Sequence, residues 1–131
     1  MLLHDRFHIS VILSFYTIES AWTLKLYTGW IVDGITLRNG HFGGTGGNVH
    51  SFDIAAGETV QRISGTKIKF LGHDTIGQIT ITTSTGRVIG PYGHNGNPKS
   101  PSKTTSFSYN RQSSQRIFAA GQDFLEEIRF I

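Results

Sequence analysis

Three stretches of this chain align on one another, and that internal repeat limits the fold more than any other feature. Trp30-Ile31-Val32-Asp33-Gly34-Ile35, Asp74-Thr75-Ile76-Gly77-Gln78-Ile79 and Asp123-Phe124-Leu125-Glu126-Glu127-Ile128 match, with fourth positions Asp33, Gly77 and Glu126 spaced 44 and 49 residues apart. Ser51-Phe52, Gln61-Arg62-Ile63 and Gly72-His73-Asp74 are echoed in the same order by Ser106-Phe107, Gln115-Arg116-Ile117 and Gly121-Gln122-Asp123. A repeat of roughly 45 residues is one supersecondary unit that cannot bury its apolar face alone, so copies must share a core. The expectation is three antiparallel sheets of three or four short strands around a pseudo-threefold axis. Ile35/Leu37, Ile79/Ile81 and Ile128/Phe130 would point inward, and Thr36, Thr80 and Arg129 outward, because side chains alternate along a strand. The competing arrangement is an ordinary β-sandwich whose similarities are accidental.

The local signals agree with an all-β chain. Trp22–Leu26 alternates with the period of a half-buried strand, and Ile31–Arg38 gives another that ends at the turn dipeptide Asn39-Gly40. Ser51–Ile54 and Thr59–Ser64 read as short strands joined by a hairpin connection, Ala55–Glu58. Thr66–Leu71 and Ile76–Thr82 follow, separated by a Gly72-His73-Asp74 turn, and then Arg87–Ile89. The Gly-, Asn- and Pro-rich Gly90–Ser102 reads as a long loop without strands, hence a functional candidate. Thr105–Tyr109, Gln115–Ala119 and Phe124–Ile131 complete about eleven strands, with a further extended segment over His8–Glu19. No stretch shows sustained helical periodicity with start and stop signals.

With 131 residues, the chain fits one domain spanning 1–131, in which residues 1–14 are an atypical N-terminal segment. The net charge of +3 comes from twelve basic residues scattered without any run, which argues against a nucleic-acid partner. There is no cysteine, so disulfides and thiolate metal sites are excluded. The apolar run Ile9–Ile18 is interrupted by Ser10, Ser14 and Thr17 and is too short to span a bilayer, so no membrane insertion is expected. Met1–Ala21 makes a poor signal peptide, with His4, Asp5, Arg6 and His8 near its start. Secretion and a cytoplasmic location both stay open.

The chemistry concentrates between Gly29 and Gly47. A turn carries Asp33, a short strand follows, and then comes the Gly43-Gly44-Thr45-Gly46-Gly47 cluster. A carboxylate accepts several hydrogen bonds at once, and bare glycine backbone brings N–H donors close to a polar ligand. That pairing suits a hydroxyl-rich ligand. It lacks the Lys-Ser/Thr and following helix of a phosphate loop.

In this order and spacing the residues resemble the jacalin-related lectins, in their mannose-binding, griffithsin-like branch, from roughly Trp22 to the C-terminus. The resemblance rests on the G-x-x-x-D turn Gly29–Asp33 with Gly34-Ile35, the GG-x-GG loop, Phe52 with Gly57-Glu58, Gly86-Arg87 leading into Gly90-Pro91-Tyr92-Gly93, and the closing Gly121–Ile128 segment. It implies a β-prism of three antiparallel four-stranded, Greek-key-like sheets and metal-independent binding of mannose-type glycans, with no cofactor. It further implies that Asp33 accepts from two adjacent sugar hydroxyls, that Ile31 and Val32 offer backbone N–H groups, and that Gly47 closes the site. Gly29, Gly46 and Trp30 complete the candidate set. Trp30 or Tyr27 could offer the ring an apolar face.

The other repeats depart from the pattern. Gly77 stands where the second acid belongs, with Asp74 or Gln78 the only nearby substitutes beside Gly93 and Gly96. Glu126 replaces the third aspartate, following Asp123 and Phe124, and Arg6–Val11 lacks the glycine cluster expected for that site. These residues form the secondary candidate sites. His41, His50, His73 and His94 lack zinc-ligand spacing, and Asp33 and Glu126 belong to different repeats, which argues against a glycosidase pair. No nucleophile constellation is present, so no enzymatic activity is expected. The alternative to a lectin is a degenerate prism serving as a protein-interaction or structural module, and a homodimer is open in either case.

Overall fold

The computed structural model describes residues 19–131, and every regular element there is a β-strand. β1 (Trp22–Thr28), β2 (Val32–Leu37), β3 (Gly40–Gly43) and β4 (Asn48–Ile54) form one antiparallel sheet in the order β3-β2-β1-β4. β5 (Val60–Phe70), β6 (His73–Thr83), β7 (Val88–Tyr92) and β10 (Thr105–Asn110) form a second, in the order β10-β5-β6-β7. In both, three strands run as a meander and the fourth returns beside the first, which is a Greek key. The echo of Ser51-Phe52 in Ser106-Phe107 is thereby explained: the pairs lie on the returning strands β4 and β10. β11 (Ile117–Ala120) pairs with β12 (Glu127–Phe130), and β8 (Gly96–Asn97) with β9 (Ser100–Pro101). The described residues thus hold sheets of four, four, two and two strands, where the repeat predicts three sheets of three or four strands and the resemblance implies three of four.

The inward set is as the alternation predicts. Ile35, Ile79, Ile81 and Ile128 are fully buried, Leu37 and Phe130 nearly so, and all six belong to one apolar cluster with Leu24, Leu26, Ile54, Ile63, Ile76 and Leu125. Arg129 is exposed, and Thr36 and Thr80 are half-buried. At one end of the molecule the repeat-equivalent residues Val32, Ile76 and Leu125 meet. Leu125 N–H donates to Val32 O at 3.3 Å and Ile76 N–H to Leu125 O at 2.9 Å, so the positions preceding Asp33, Gly77 and Glu126 are tied together by backbone.

Three local expectations are corrected. Ala55–Glu58 is not a hairpin, because β4 pairs with β1 and β5 with β6 and β10, so this connection crosses between sheets. Glu58 anchors the crossing: its carboxylate accepts from Thr83 Oγ1 at 2.6 Å, Thr85 Oγ1 at 2.8 Å, Ala55 N–H at 3.0 Å and Arg87 at 2.9 Å. Thr59–Ser64 and Thr66–Leu71 are one strand, β5, that passes through Gly65 with a register shift just beyond it. Gly90–Ser102 is not strand-free, since it includes the end of β7 and the β8–β9 pair. The extended segment read over His8–Glu19, the 1–14 boundary, His4 and His8, and the Arg6–Val11 departure lie outside the described residues, apart from Glu19.

Candidate functional site

The Gly29–Gly47 stretch closes on itself because β1 lies between β2 and β4. Thr28, at the end of β1, pairs with Val32 on one side and Asn48 on the other, so the Gly29–Ile31 turn and the glycine loop emerge side by side. Gly47 adopts φ +73°, and a Cβ there would collide with the Thr28 carbonyl. Gly46 faces the acid: a Cβ on it would stand 3.0 Å from Asp33 Oδ1. The glycines thus allow the loop backbone to reach the carboxylate.

The rest of the loop is held by hydrogen bonds. Gly44 N–H donates to Asp33 O at 2.8 Å and Gly43 N–H to Gly121 O at 3.0 Å. The His41 ring bridges Thr36 Oγ1 at 2.8 Å and Gly44 O at 2.9 Å. Since a carbonyl only accepts, Nε2 donates to Gly44 O, and Nδ1 pairs with the Thr36 hydroxyl. His41 is therefore a brace for the loop. Across the site, Trp30 O accepts from His94 N–H at 3.2 Å and Gly96 N–H at 2.7 Å, so the second repeat's loop fixes the first repeat's turn.

A cavity of about 330 Å³ opens here, lined by Gly29, Trp30, Ile31, Asp33, Gly47 and Phe70. The Asp33 carboxyl is half-buried, and desolvation raises its pKa above the usual 3.8, against a lowering hydrogen bond from its own backbone N–H. Trp30 is 51% exposed and packs edge-on against Phe70 at 6.5 Å between centroids. Tyr27 instead packs against His41 at 5.1 Å and does not line the cavity. Ile31 and Val32 are buried, so what they can offer a ligand is backbone. The arrangement is one carboxylate acceptor, close backbone and an aromatic wall, which fits a small polyhydroxylated ring. Among the described residues no cluster of three or more His, Asp or Glu is placed to hold a metal.

Residues 23–131 match the family model of the jacalin-like lectin domain. The chain belongs to the jacalin-like lectin family. Malaysian banana lectin has a similar structure, at 28% identity and TM-score 0.63, with 83% of this chain and 86% of that chain covered. AcmJRL, a mannose-binding jacalin-related lectin from Ananas comosus, is 18% identical with TM-score 0.60, covering 85% and 80%. The second β-prism domain of RbmC from V. cholerae, bound to N-acetylglucosaminyl-β-1,2-mannose, is 19% identical with TM-score 0.60, covering 88% and 96%. No curated protein sequence matches the chain significantly.

In this jacalin-like lectin Asn95 stands where a side chain at the second repeat's acid position would go. A Cβ on Gly77 would overlap Asn95 Oδ1, which is itself bound to Thr66 Oγ1. Asp74 is paired with Lys69 at 2.7 Å, which lowers its pKa, and the Gln78 amide donates to Gly93 O at 3.1 Å. A Cβ on Gly93 would collide with the Gly77 carbonyl, so this loop lies directly on β6. In the third repeat, Glu126 Oε1 is 3.7 Å from His73 Nδ1. Phe124 packs edge-on between Phe70 at 5.5 Å and His73 at 5.7 Å, and the Asp123 carbonyl abuts Gly44. Neither Phe70 nor Asn95 is singled out on sequence grounds: Phe70 reaches its site from another repeat, and Asn95 lies between Gly93 and Gly96 in the second repeat's own loop.

Proposed function

We propose that this lectin binds mannose-type glycans, without metal, mainly at the Gly29–Asp33 turn and the Gly43–Gly47 loop. The observation that carries this is the Asp33 carboxylate standing between Gly29 and Gly46 at the edge of a cavity walled by Trp30 and Phe70. Asp33 accepts from two neighbouring sugar hydroxyls, Ile31, Val32 and Gly47 supply backbone contacts, and the Trp30–Phe70 edge covers the ring. The mannose-binding lectin of Ananas comosus and the mannose-containing ligand of the V. cholerae domain support this sugar class, whereas frutalin, at 14% identity, was solved with galactose.

The second and third repeats contribute little in this reading, because Asn95 stands where a side chain at one acid position would go and His73 faces the longer acid of the other. With one site and few polar contacts, monosaccharide affinity is millimolar, and useful avidity comes from assembly or repetition of the chain. The chain acts as one domain in which β11 and β12 belong to a third four-stranded sheet, completing the prism, and it catalyses no reaction.

Glycan-array binding of the wild type and of Asp33→Ala tests this. Mannose-type binding that disappears with the substitution is expected. Absence of binding by either protein would leave the prism as a protein-interaction or structural module.

A further inference from the structure

At the other end of β2, roughly 13–17 Å from Asp33 at the usual strand rise, lies a second cavity of about 330 Å³. Its floor is apolar: Trp22 and Ile117 are half-buried, and Leu37 and Phe130 are buried. Arg38, Arg111 and Arg116 stand around it with Glu19 and Glu58. The formal charges nearly balance, but the bonding does not. Glu58 is engaged by Thr83, Thr85, Ala55 N–H and Arg87, and hydrogen bonds led by that from Thr83 hold its pKa at about 2. Arg38 is engaged as well: Nε lies 3.6 Å from Glu19, its terminal nitrogens donate to Ser20, and its guanidinium sits 5.6 Å from the Trp22 ring centroid.

Among the described residues two cations are left over: the Arg111 side chain uses only Nε, donating to Gln115 O at 2.8 Å, and the Arg116 side chain has no hydrogen-bond or ion-pair partner. A built turn sets both: Gln115 N–H donates to Gln112 O at 3.1 Å and Gln112 N–H to Gln115 Oε1 at 2.8 Å, so Arg111 and Arg116 flank a closed four-residue loop. Arg116 is further held by reciprocal backbone bonds with Ile131 at 3.0 and 2.8 Å. Guanidinium forks match the two oxygens of a carboxylate, and a cavity of this size admits a monosaccharide-sized ring.

We propose that this cavity is a second binding site, for a small ring-bearing organic acid such as a uronic acid. Its carboxylate meets Arg111 and Arg116, and its ring covers the Trp22–Ile117–Phe130 floor. The site shares no residue with the Asp33 cavity and stands independently of the sugar proposed there.

The test is calorimetric titration of the full chain, already saturated with methyl α-mannoside, by glucuronate, glucose and inorganic sulfate at low salt. Saturable glucuronate binding is expected, with none for glucose and weaker binding for sulfate. Arg116→Gln, which removes no hydrogen bond seen among the described residues, should weaken glucuronate about tenfold, the loss of one charge-assisted pair. Arg111→Gln/Arg116→Gln should abolish it, with the melting temperature of the single variant unchanged. Absence of glucuronate binding, equal binding of glucose, or full affinity in Arg116→Gln would overturn the proposal. Stronger binding of sulfate than of glucuronate would also overturn it, since the apolar floor would then play no part.

Discussion

Asp33 and Gly46 are held so close that a single methyl group on Gly46 would press against the carboxylate, 3.0 Å from Oδ1. The neighbouring Gly47 is more constrained, because its left-handed φ of +73° and the Thr28 carbonyl both exclude a side chain. Gly47→Ala is expected to cost about 1–3 kcal/mol of stability, the usual penalty for a strained backbone, and to remove sugar binding. Gly46→Ala should retain stability and lose affinity, since only the acid must move. Urea unfolding and mannoside titration of the two variants separate these outcomes.

Burial raises the Asp33 pKa, so its charged form opposes folding. That opposition is absent below the unfolded value and complete once pH has risen through the folded one. Asp33→Asn should therefore be at least as stable as the wild type at neutral pH, and the advantage should vanish in acid. Sugar affinity of the wild type should fall as pH drops through the raised value, where the acceptor becomes protonated. Parallel urea and mannoside titrations across acidic pH check both signs.

Glu58 behaves in the opposite sense. Hydrogen bonds from Thr83, the Ala55 N–H and Thr85, with Arg87, lower its pKa from the usual 4.5 to about 2. The stability this contributes is present above 4.5 and is lost as pH falls toward 2. Thermal melts of Glu58→Gln should start from a lower melting temperature at neutral pH and show less of the acid-induced decline than the wild type. Equal pH dependence in both proteins would show that the Glu58 cluster is not its source.

The juxtaposition of Asp33 with the glycine loop was legible because its parts are contiguous: turn, strand and glycine loop follow one another within Gly29–Gly47. Val32, Ile76 and Leu125 were legible as equivalents for the same reason, since each repeat presents its turn whole. What was not legible comes from elsewhere in the chain. Phe70 reaches the cavity from the end of β5, and Asn95, within the candidate loop Gly90–Ser102, takes the space above Gly77 although nothing in the loop's composition sets it apart. Ala55–Glu58 has hairpin length, yet Glu58 bonds to Thr83 at the end of β6 and to Thr85 and Arg87 in the turn that follows it, across to the next sheet. Gly65 reads as a break between strands but is a close approach to the Gln78 carbonyl within one long strand.

Asn95 makes the second repeat resistant to simple restoration. Gly77→Asp returns the missing acid to its repeat position, yet its Cβ would overlap Asn95 Oδ1. The single variant is expected to be destabilised without gaining a second sugar site. Gly77→Asp with Asn95→Gly removes the nearest obstruction, leaving Ile68 Cγ2 at 3.1 Å and the residue-95 Cα at 3.2 Å, and should recover part of the stability lost in Gly77→Asp. Calorimetric stoichiometry with mannoside, alongside urea unfolding, reads both effects.

The most direct test of the sugar site is a titration of the 15N-labelled chain with methyl α-mannoside, followed by amide chemical shifts. Saturating shifts are expected at Gly29–Asp33, Gly46, Gly47 and Phe70, with none at Arg111 or Arg116 and none anywhere in Asp33→Ala. Shifts centred on Gly77–Gly93 or on the Arg111–Arg116 turn, or an unchanged titration in Asp33→Ala, would contradict the assignment of sugar binding to Asp33.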